Sequence, residues 1–403
     1  MSSAVPEGWE LSPLSSLADY KNGRAFKPSD WSKSGLPILR IAQINNPHKV
    51  EDYYDGNDID DGHFITKGDL IFSWSATLKA EIWSHYDAVL NQHIFKVTEK
   101  VGTNRSYLQQ LLDYAIPKLA ESSHGSTMKH IKKGVLDEFF SPVPPLPEQK
   151  KIASILTSVD EVIENTQKQI DKLQDLKKAT MNELLTKGIC HTEFKDSELG
   201  RIPKSWEVST LGDMVLKITD GEHLSPDIVT HGKPILSAKD IREDGVHISD
   251  AKFVEPTPFQ KMLSRCNPEF GDVLVVSRGA TIGRVTLNNL NIQFALMGSV
   301  ILIKPAQEKL IGSFISLCLE SETTQSEMLG LSGSSAQQAI YLKDIKSLKL
   351  PVPRLIEQNR IASLVKSIDD QKNILKSKLA QTQSLKKSLM QDLLTGKVRV
   401  TVN

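Results

Sequence analysis

The 403-residue sequence predicts an α+β fold with two similar domains, separated by two long antiparallel coiled-coil-like helices and related by an internal pseudo-twofold repeat. Three observations predict it. One segment recurs almost unchanged 209 residues later. Heptads of apolar residues follow each copy, and short β-branched runs bounded by Gly and Pro fill the remaining sequence.

The repeat divides the chain into two halves. Residues 142–160 read PVPPLPEQKKIASILTSVD, and residues 351–369 read PVPRLIEQNRIASLVKSID. The openings also match, since VPEGWELSPL at 5–14 parallels IPKSWEVSTL at 202–211 with an offset of 197. The offset grows from 197 to 209, so the second half carries 12 extra residues between its opening and its tail.

These matches predict the boundaries of four segments. A first variable domain spans 1–145, and a first helix follows at 146–190. A linker and the second variable domain span 191–352, and a second helix with a tail completes the chain at 353–403. The variable domains contain β-branched runs such as DVLVV and SVILI, with additional helix predicted around 105–121 and 310–328.

Both repeated tails carry a coiled-coil-like apolar stripe. Its predicted packing positions are Ile152, Leu156, Val159, Ile163, Thr166, Ile170, Leu173 and Leu184 in the first helix, and Ile361, Ile368, Leu375, Thr382 and Leu389 in the second. Prolines precede each helix, and Gly188 and Gly396 stand where left-handed C-caps are expected.

An apolar stripe needs a partner, and the other helix of the same chain is the nearest one. An antiparallel pair of about 40 residues would form a rod of about 60 Å with one variable domain at each end. The alternatives are that each helix packs on its own domain or on another protein.

Composition excludes several classes. Lys plus Arg and Asp plus Glu both number 49, so any basic surface must be local. The three cysteines (Cys190, Cys266 and Cys318) are far apart and odd in number, which favours a reduced compartment. The opening MSSAVPEGWE resembles no signal peptide, and the longest apolar stretch, 292–303, is too short to span a bilayer. A cytoplasmic location is expected.

No catalytic motif is recognisable. The sequence has neither an F-x-G-x-G-like cofactor loop with an N-P-P-[FY] motif nor a phosphate loop, and it has no Cys- or His-rich metal pattern. The acidic stretch 51–61 resembles a calcium loop, but Ile59 stands where an oxygen ligand is required. We therefore expect a protein that is not an enzyme and has no metal or cofactor of its own.

The alternation of variable domain and repeated helix resembles the specificity (S) subunits of type I restriction-modification enzymes over essentially the whole chain. The motifs that carry the resemblance are PLPEQKKIASIL at 145–156, LLTKGI at 184–189, LLTGKV at 393–398 and the P-x-x-W-E openings. The second copy departs from the first where Arg354 and Ile356 replace prolines.

The resemblance implies a function in DNA recognition. Each variable domain would be a target recognition domain that reads one half of an asymmetric, interrupted double-stranded DNA site. The helices would fix the spacing and dock two methyltransferase subunits, which two restriction/translocase subunits then join. DNA methylation, usually of adenine, would belong to the partners, with their S-adenosylmethionine, ATP and Mg.

Two regions of each half are candidates for DNA contact, because small residues allow close backbone approach and polar or basic side chains can bind base edges. The first region comprises SWSATLK at 73–79 and its counterpart SRGATIGR at 277–284, and ordinary β-turns are the alternative. Its candidate side chains are Ser73, Ser75, Thr77, Lys79, Arg278, Thr281 and Arg284.

The second region comprises SSHGSTMKH at 122–130 and LSGSSAQQA at 331–339, each of which predicts a helix N-terminus capped by Ser or Thr near Ile131 or Ile340. A plain capping role is the alternative. The candidates are Ser123, His124, Ser126, Lys129, His130, Ser334, Ser335, Gln337 and Gln338, with Arg40 and Lys239 as weaker ones elsewhere.

Two other functions fit the sequence. A structural adaptor with protein-binding domains would also need paired helices, and zero net charge permits it. A specificity subunit of a related system, whose partner fuses methylation and cleavage, would look much the same. The recognised bases, the gap between half-sites and the existence of a cleaving partner cannot be derived from the sequence.

Overall fold

The computed structural model describes residues 5–56, 58–121, 131, 133–331 and 338–402. The chain forms two compact units. Unit 1 comprises residues 1–168 and 376–403, and unit 2 comprises residues 169–375. Each unit therefore combines one variable domain with parts of both long helices, and the compact units do not follow the linear segment boundaries.

In the described residues, the first half of the chain contains ten short strands and ends in a long helix. In order its described elements are β1 (Glu10–Pro13), α1 (Leu14–Leu17), β2 (Ala18–Asn22), β3 (Leu36–Leu39), α2 (Ile41–Asn45), β4 (Tyr53–Tyr54), β5 (Phe64–Ile65), β6 (Leu70–Ser73), β7 (Lys79–Ile82), β8 (Ala88–Leu90), β9 (Ile94–Glu99), α3 (Arg105–Glu121), α4 (Val135–Glu138), β10 (Phe140–Val143) and α5 (Leu146–Lys187).

The second half repeats this order with additions. Its described elements are β11 (Phe194–Ser197), β12 (Gly200–Pro203), β13 (Glu207–Thr210), α6 (Leu211–Met214), β14 (Val215–Asp220), β15 (Lys233–Leu236), β16 (Ile241–Arg242), β17 (Gly245–Val246), β18 (Lys252–Val254), α7 (Pro256–Arg265), β19 (Val273–Val276), β20 (Val285–Leu287), β21 (Ala295–Leu296), β22 (Val300–Pro305), α8 (Gly312–Glu320), α9 (Glu322–Leu331), α10 (Leu342–Ser347), β23 (Lys349–Val352) and α11 (Leu355–Leu394).

Both units contain the same kind of four-stranded sheet. Unit 1 has the four-stranded order β2-β9-β6-β7, and unit 2 has β14-β22-β19-β20, antiparallel in each case. Each also pairs one strand in parallel, β3 with β8 and β15 with β21. The opening strand pairs antiparallel with the strand before the long helix, β1 with β10 and β13 with β23. The predicted repeat is thus a repeat of topology.

The extra residues of the second half have a definite location. Strands β3 and β15 stand at an offset of 197 residues, β8 and β21 at 206, and β10 and β23 at 209. Most of the insertion therefore lies between β15 and β21, where unit 2 forms the hairpin β16–β17 and the amphipathic helix α7. The repeated strands around it keep their pairing, because insertions between strands are tolerated when the buried ladder is kept.

The long helices pair antiparallel within each unit. In unit 1, Ile152 and Leu156 of α5 share a core with Leu393 and Leu394 of α11. Further along α5, the Asp160 carboxylate lies 2.6 Å from Lys386 Nζ of α11, so the two helices run in opposite directions.

Unit 2 repeats the pairing with the helices exchanged. Met181 and Leu185 of α5 share a core with Ile361 and Val365 of α11. The members of the predicted packing stripe are buried or half-buried along both helices. Burial of such a stripe provides most of the stability of a long helix, since helix propensity alone contributes little.

Glycines end both helices as predicted. Gly188 has φ +65° and Gly396 has φ +71°, a left-handed conformation that other residues adopt only with strain. A Cβ at Gly188 would lie 2.7 Å from the Trp206 ring, and one at Gly396 would lie 3.2 Å from the Trp9 ring. Each of these positions thus requires glycine for two reasons: the backbone conformation and the close approach of a tryptophan.

Candidate nucleic-acid interface

In unit 1, several loops meet at one end of the sheet β2-β9-β6-β7. The Trp74 N–H donates to the His93 carbonyl at 3.3 Å, and the Ile131 N–H donates to the Trp74 carbonyl at 2.8 Å. The Arg24 N–H donates to the Leu90 carbonyl at 2.8 Å. We call residues 23–26, 74–79, 91–93 and 131 the loop cluster of unit 1.

Unit 2 forms the same arrangement. The Ser277 N–H donates to the Ser299 carbonyl at 2.9 Å, and the Ile340 N–H donates to the Ser277 carbonyl at 3.0 Å. The Glu222 N–H donates to the Leu296 carbonyl at 2.7 Å. The loop cluster of unit 2 comprises residues 221–224, 277–284, 297–299 and 338–340. In each unit, then, the first predicted region touches the segment that follows the second.

These hydrogen bonds correct the sequence alignment by one residue. Letter matching placed SWSAT on SRGAT and so paired Ser73 with Ser277. The strand registers pair Ser73 with Ile94 and Val276 with Val300, which makes Trp74 the counterpart of Ser277. Ser75 then corresponds to Arg278, and Ala76, with φ +56°, corresponds to Gly279, with φ +100°. Matching left-handed residues support the corrected alignment.

Side chains at equivalent positions of the two loop clusters differ in charge and size. Arg24 corresponds to Glu222, since each forms the parallel bridge to the residue after the short central strand. Gln92 of unit 1 corresponds to Gly298 of unit 2, and it is exposed. The backbone of the cluster is therefore common to both units, and its surface chemistry is specific to each.

The candidates at 73–79 have unequal access to solvent. Ser73 and Ser75 are buried, at 0% and 4% exposure, so their hydroxyls support the loop and cannot reach a duplex in this conformation. Thr77 Oγ1 accepts a hydrogen bond from Asn45 at 3.2 Å. Lys79 is exposed and paired with Glu81 at 2.8 Å.

At 277–284, Arg278 is exposed, and its backbone pairs with Ala339. Thr281 is half-buried. Arg284 is also half-buried and donates to the Ile241 carbonyl at 3.1 Å, so it holds two loops together. Arg278 is thus the candidate of this loop with the freest access to solvent.

Most candidates of the second region lie outside the described residues. They are Ser123, His124, Ser126, Lys129, His130, Ser334, Ser335 and Gln337. Gln338 is described and exposed, and it directly precedes the Ala339 that pairs with Arg278. Two predicted candidates from distant parts of the sequence are therefore neighbours.

The predicted Ser or Thr helix caps near Ile131 and Ile340 are wrong. The helices begin later, α4 at Val135 and α10 at Leu342, and neither has a side-chain cap at its N-cap residue. At α10 the Asp344 carboxylate instead accepts the Tyr341 N–H at 3.2 Å. The sequence misled because the Gly-Ser segments precede the helices by several residues. The weaker candidates are engaged as well: Arg40 pairs with Asp52, and Lys239 donates to the Asp250 carbonyl.

A repeated Glu-Gln pair attaches each domain to a long helix. No role for this pair was predicted from the sequence. In unit 1 the Gln149 amide donates to the carbonyls of Gly102 and Pro144 at 3.0 and 2.9 Å and accepts the Asn104 N–H at 2.8 Å. Its neighbour Glu148 accepts from Trp9 Nε1 at 3.2 Å and from Arg399 Nε at 3.0 Å.

Unit 2 repeats the attachment. Gln358 donates to the carbonyls of Lys309 and Pro353 and accepts the Ile311 N–H. Glu357 accepts from Trp206 Nε1 at 3.0 Å, and its other oxygen lies 2.7 Å from His191 Nε2. We call each Glu-Gln pair with its tryptophan a clasp. The P-x-x-W-E and E-Q motifs, recognised only as repeats, could have indicated this contact.

The described residues offer neither a metal site nor a membrane span. They include no group of three or more His, Cys, Asp or Glu residues placed to hold a metal ion. Within the same residues, no helix combines the length and apolar character needed to cross a bilayer. Cys266 and Cys318 are buried, and burial raises the pKa of the Cys266 thiol to about 12, so it is not a reactive thiolate at neutral pH.

Comparison with known proteins gives the family. A sequence profile described as "Type I restriction modification DNA specificity domain" matches residues 6–175 and 203–383. The chain belongs to the type I restriction-modification DNA specificity family. Both matched ranges run from a clasp tryptophan's opening segment into a long helix, so the family's unit is the unit that repeats here.

Relatives resemble this family member over nearly its whole length. It is 32% identical to the putative type I restriction enzyme MjaX specificity subunit of Methanocaldococcus jannaschii, covering 98% of this chain and 95% of that protein. It is 29% identical to the MjaVIII specificity subunit of the same organism, over 98% and 94%, and 24% identical to the EcoBI specificity subunit of Escherichia coli, over 98% and 87%.

Solved structures agree on the fold of this specificity protein. The S subunit of a type I restriction-modification system from M. genitalium matches with a TM-score of 0.62 at 16% identity, covering 100% of this chain and 98% of that one. A chain from a study of the assembly and conformational transition of the type I R-M system matches with a TM-score of 0.57 at 18% identity, over 98% and 100%. The predicted α+β fold with two repeated domains and long antiparallel helices is confirmed.

Proposed function

We propose that this specificity protein reads a bipartite, asymmetric DNA site, one half-site with the loop cluster of each unit, and docks the methyltransferase subunits that modify it. The observation that carries the proposal is a contrast between the backbone and the side chains when the two loop clusters are compared. The backbone hydrogen bonds of the loop cluster are the same, and the exposed side chains at equivalent positions differ in charge and size.

That contrast is what two readers of different sequences require. Base edges in the major groove are distinguished by hydrogen-bonding side chains, with Arg suited to guanine and Gln or Asn to adenine. Arg278 and Gln338 lie side by side in unit 2, and Gln92 is exposed in unit 1. An adaptor that bound the same protein twice would gain nothing from such divergence. The two half-sites should therefore differ.

The paired helices supply the remaining part of the proposal. Two copies of nearly the same helix surface, one in each unit, suit two copies of the same partner. We propose that two methyltransferase subunits dock there and that two restriction/translocase subunits join through them. S-adenosylmethionine, ATP and Mg would be bound by those partners, and this chain would contribute recognition without catalysis.

The test is a map of methylated adenines in cells that express this chain with a type I methyltransferase subunit that forms a complex with it. We expect one motif made of two different half-sites with a constant gap. Exchanging residues 1–140 for those of another family member should change one half-site and leave the other. Absence of any two-part motif, or a change in both halves, would contradict the proposal.

Single substitutions then test the loop clusters. We expect Arg278→Ala or Gln338→Ala to reduce discrimination at one position of one half-site by about 1–3 kcal/mol if the residue contacts a base. Equal loss of binding on all sequences would indicate phosphate contact instead. Lys261→Ala, at an exposed position of α7 outside the loop cluster, is the control and should leave discrimination unchanged.

A further inference from the structure

Besides a shared apolar core, two partly buried polar contacts attach each variable domain to the long helices. The first is the clasp, at Glu148 and Gln149 of α5 in unit 1 and at Glu357 and Gln358 of α11 in unit 2. The second lies 12 residues further along the same helix, at Asp160 and at Asp369. Twelve residues of α-helix extend about 18 Å, so the two attachments are well separated.

In unit 2 the second attachment joins three helices through one lysine. Lys177 Nζ of α5 lies 2.7 Å from the Asp369 carboxylate of α11 and 3.2 Å from the Glu320 carboxylate of α8. The other Asp369 oxygen lies 2.9 Å from Lys372. The side chain of Lys177 is only 18% exposed, and its two acidic partners hold its pKa above the ordinary lysine value despite partial burial. It therefore stays charged.

Unit 1 also joins three helices at repeat-equivalent residues, but here the aspartate rather than the lysine contacts the domain helix. Asp160 of α5 accepts a hydrogen bond from Gln110 of α3 at 2.7 Å and lies 2.6 Å from Lys386 of α11. Asp160 and Asp369 are repeat equivalents at an offset of 209, and so are Lys177 and Lys386. The helices have exchanged roles between units, and the three-helix contact is preserved. We call these contacts the junctions.

The junction of unit 2 lies beside a cleft of about 1190 Å³. The cleft is lined on one side by Ala280–Val285 of the loop cluster and by residues of α8 and α9, and on the other by α5 and by Asp369 and Lys372 of α11. Lys177 and Glu320 both line it. The cleft thus lies between the domain and the helices, and the junction crosses it.

We propose that the two junctions are positioning devices that fix the angle of each domain on its helices, and through it the gap between the two half-sites. The proposal rests on the proposed function. A contact about 18 Å from the clasp resists rotation of the domain on its helices more strongly than the clasp does alone. Successive base pairs are about 3.4 Å apart, so a small pivot carries the loop cluster to the next base pair.

The experiment compares methylation maps of Lys177→Met and the unmodified chain, each expressed with the same methyltransferase partner. Methionine keeps the length of the side chain and removes its charge, so Glu320 loses its helix partner. We expect unchanged half-site sequences, with methylation at gaps one base pair longer or shorter raised about fivefold, the effect of about one kcal/mol of lost orientation.

Two further variants keep the test specific. Lys178→Met removes the neighbouring lysine, whose ion pair with Glu322 is exposed, and it should leave the gap unchanged. Lys177→Arg restores the charge and should restore the single gap. A variant that is merely destabilised would methylate the same motif less often, without new gaps.

The outcomes separate the two proposals. If the unmodified chain yields no two-part motif, the proposed function fails. If it yields one and Lys177→Met retains a single gap at ordinary melting temperature, only the positioning role is refuted. Gln110→Leu in unit 1, which removes the domain's hydrogen bond to Asp160, provides the second measurement and should broaden the gap in the same way.

Discussion

The two clasps hold equivalent glutamates with different side chains. Glu148 in unit 1 is bound by Arg399, whose guanidinium also lies 5.5 Å from the Trp9 ring. Glu357 in unit 2 is bound by His191 and by the Ile189 N–H. The tryptophan, the glutamate and the C-cap glycine are kept, and the side chain that covers the glutamate is exchanged. The attachment therefore depends on the buried aromatic ring and the carboxylate, and it tolerates variation in the group that covers them.

The largest expected effect comes from the clasp tryptophans. Trp206 is 1% exposed and packs in the core of unit 2, so Trp206→Ala should lower the free energy of unfolding by about 3–5 kcal/mol. Trp9→Ala should cost about as much in unit 1. Denaturant titration measures both, with hydrogen exchange to assign the unit affected. A loss below about 1 kcal/mol for either would mean that the clasp is not a core element.

The domain helices also differ between units, since half-buried Asp113 of α3 stands near the position that Glu320 occupies in unit 2. Burial raises the pKa of Asp113 to about 6, opposed by the hydrogen bond it accepts from the Ala80 N–H. The folded state then binds more protons than the unfolded state between about pH 4 and pH 6. Stability of unit 1 should fall as pH rises through that window.

Asp113→Asn should therefore stabilise unit 1 by about 1–2 kcal/mol at pH 7 and flatten the pH dependence between about 4 and 6. Denaturant unfolding at several pH values measures this. Asp137→Asn, at an exposed position, is the control and should leave the profile unchanged. If Asp113→Asn instead destabilises the protein at pH 7, the interactions of the ionised carboxylate with its neighbours outweigh the cost of its burial.

The last expected effect, similar in size to that of Asp113→Asn, concerns the C-cap glycines. Gly188→Ala should cost about 1–3 kcal/mol, because a left-handed conformation is strained for alanine and the new methyl group would crowd Trp206 and Glu357. Gly200→Ala separates the two causes, since Gly200 has φ +86° and open space around it. A difference of zero between the variants would show that the clasp yields to the methyl group.

Sequence predicted the parts of the fold that depend on repetition and periodicity. The long helices, their stripe and the capping glycines follow from heptads and from the 209-residue offset, because these positions are selected by burial. The loop clusters were harder. Ser73 and Ser75 fit the pattern of small polar residues, yet both are buried, because β6 is buried along its whole length and Ser75 lies two residues beyond its end.

The junctions and the side chains that cover the clasp glutamates could not be derived from the sequence, because these contacts join residues far apart in the chain. Glu148 and Arg399 are separated by 251 residues, and Lys177 and Glu320 by 143. Charge alone does not select such partners among 49 acidic and 49 basic residues. Only the antiparallel register of α5 and α11 identifies them, through the equivalence of Asp160 with Asp369.

Unit 1 is discontinuous in the chain, and this has a consequence for synthesis on the ribosome. Residues 169–375 are contiguous and contain all of unit 2, so that unit can close as soon as they have emerged. Unit 1 must wait for residues 376–403 before Leu393, Leu394 and Arg399 reach its core and its glutamate. Of the two units, the one whose synthesis begins first is thus finished last, and until then the apolar stripe of its long helix is left without its α11 partner.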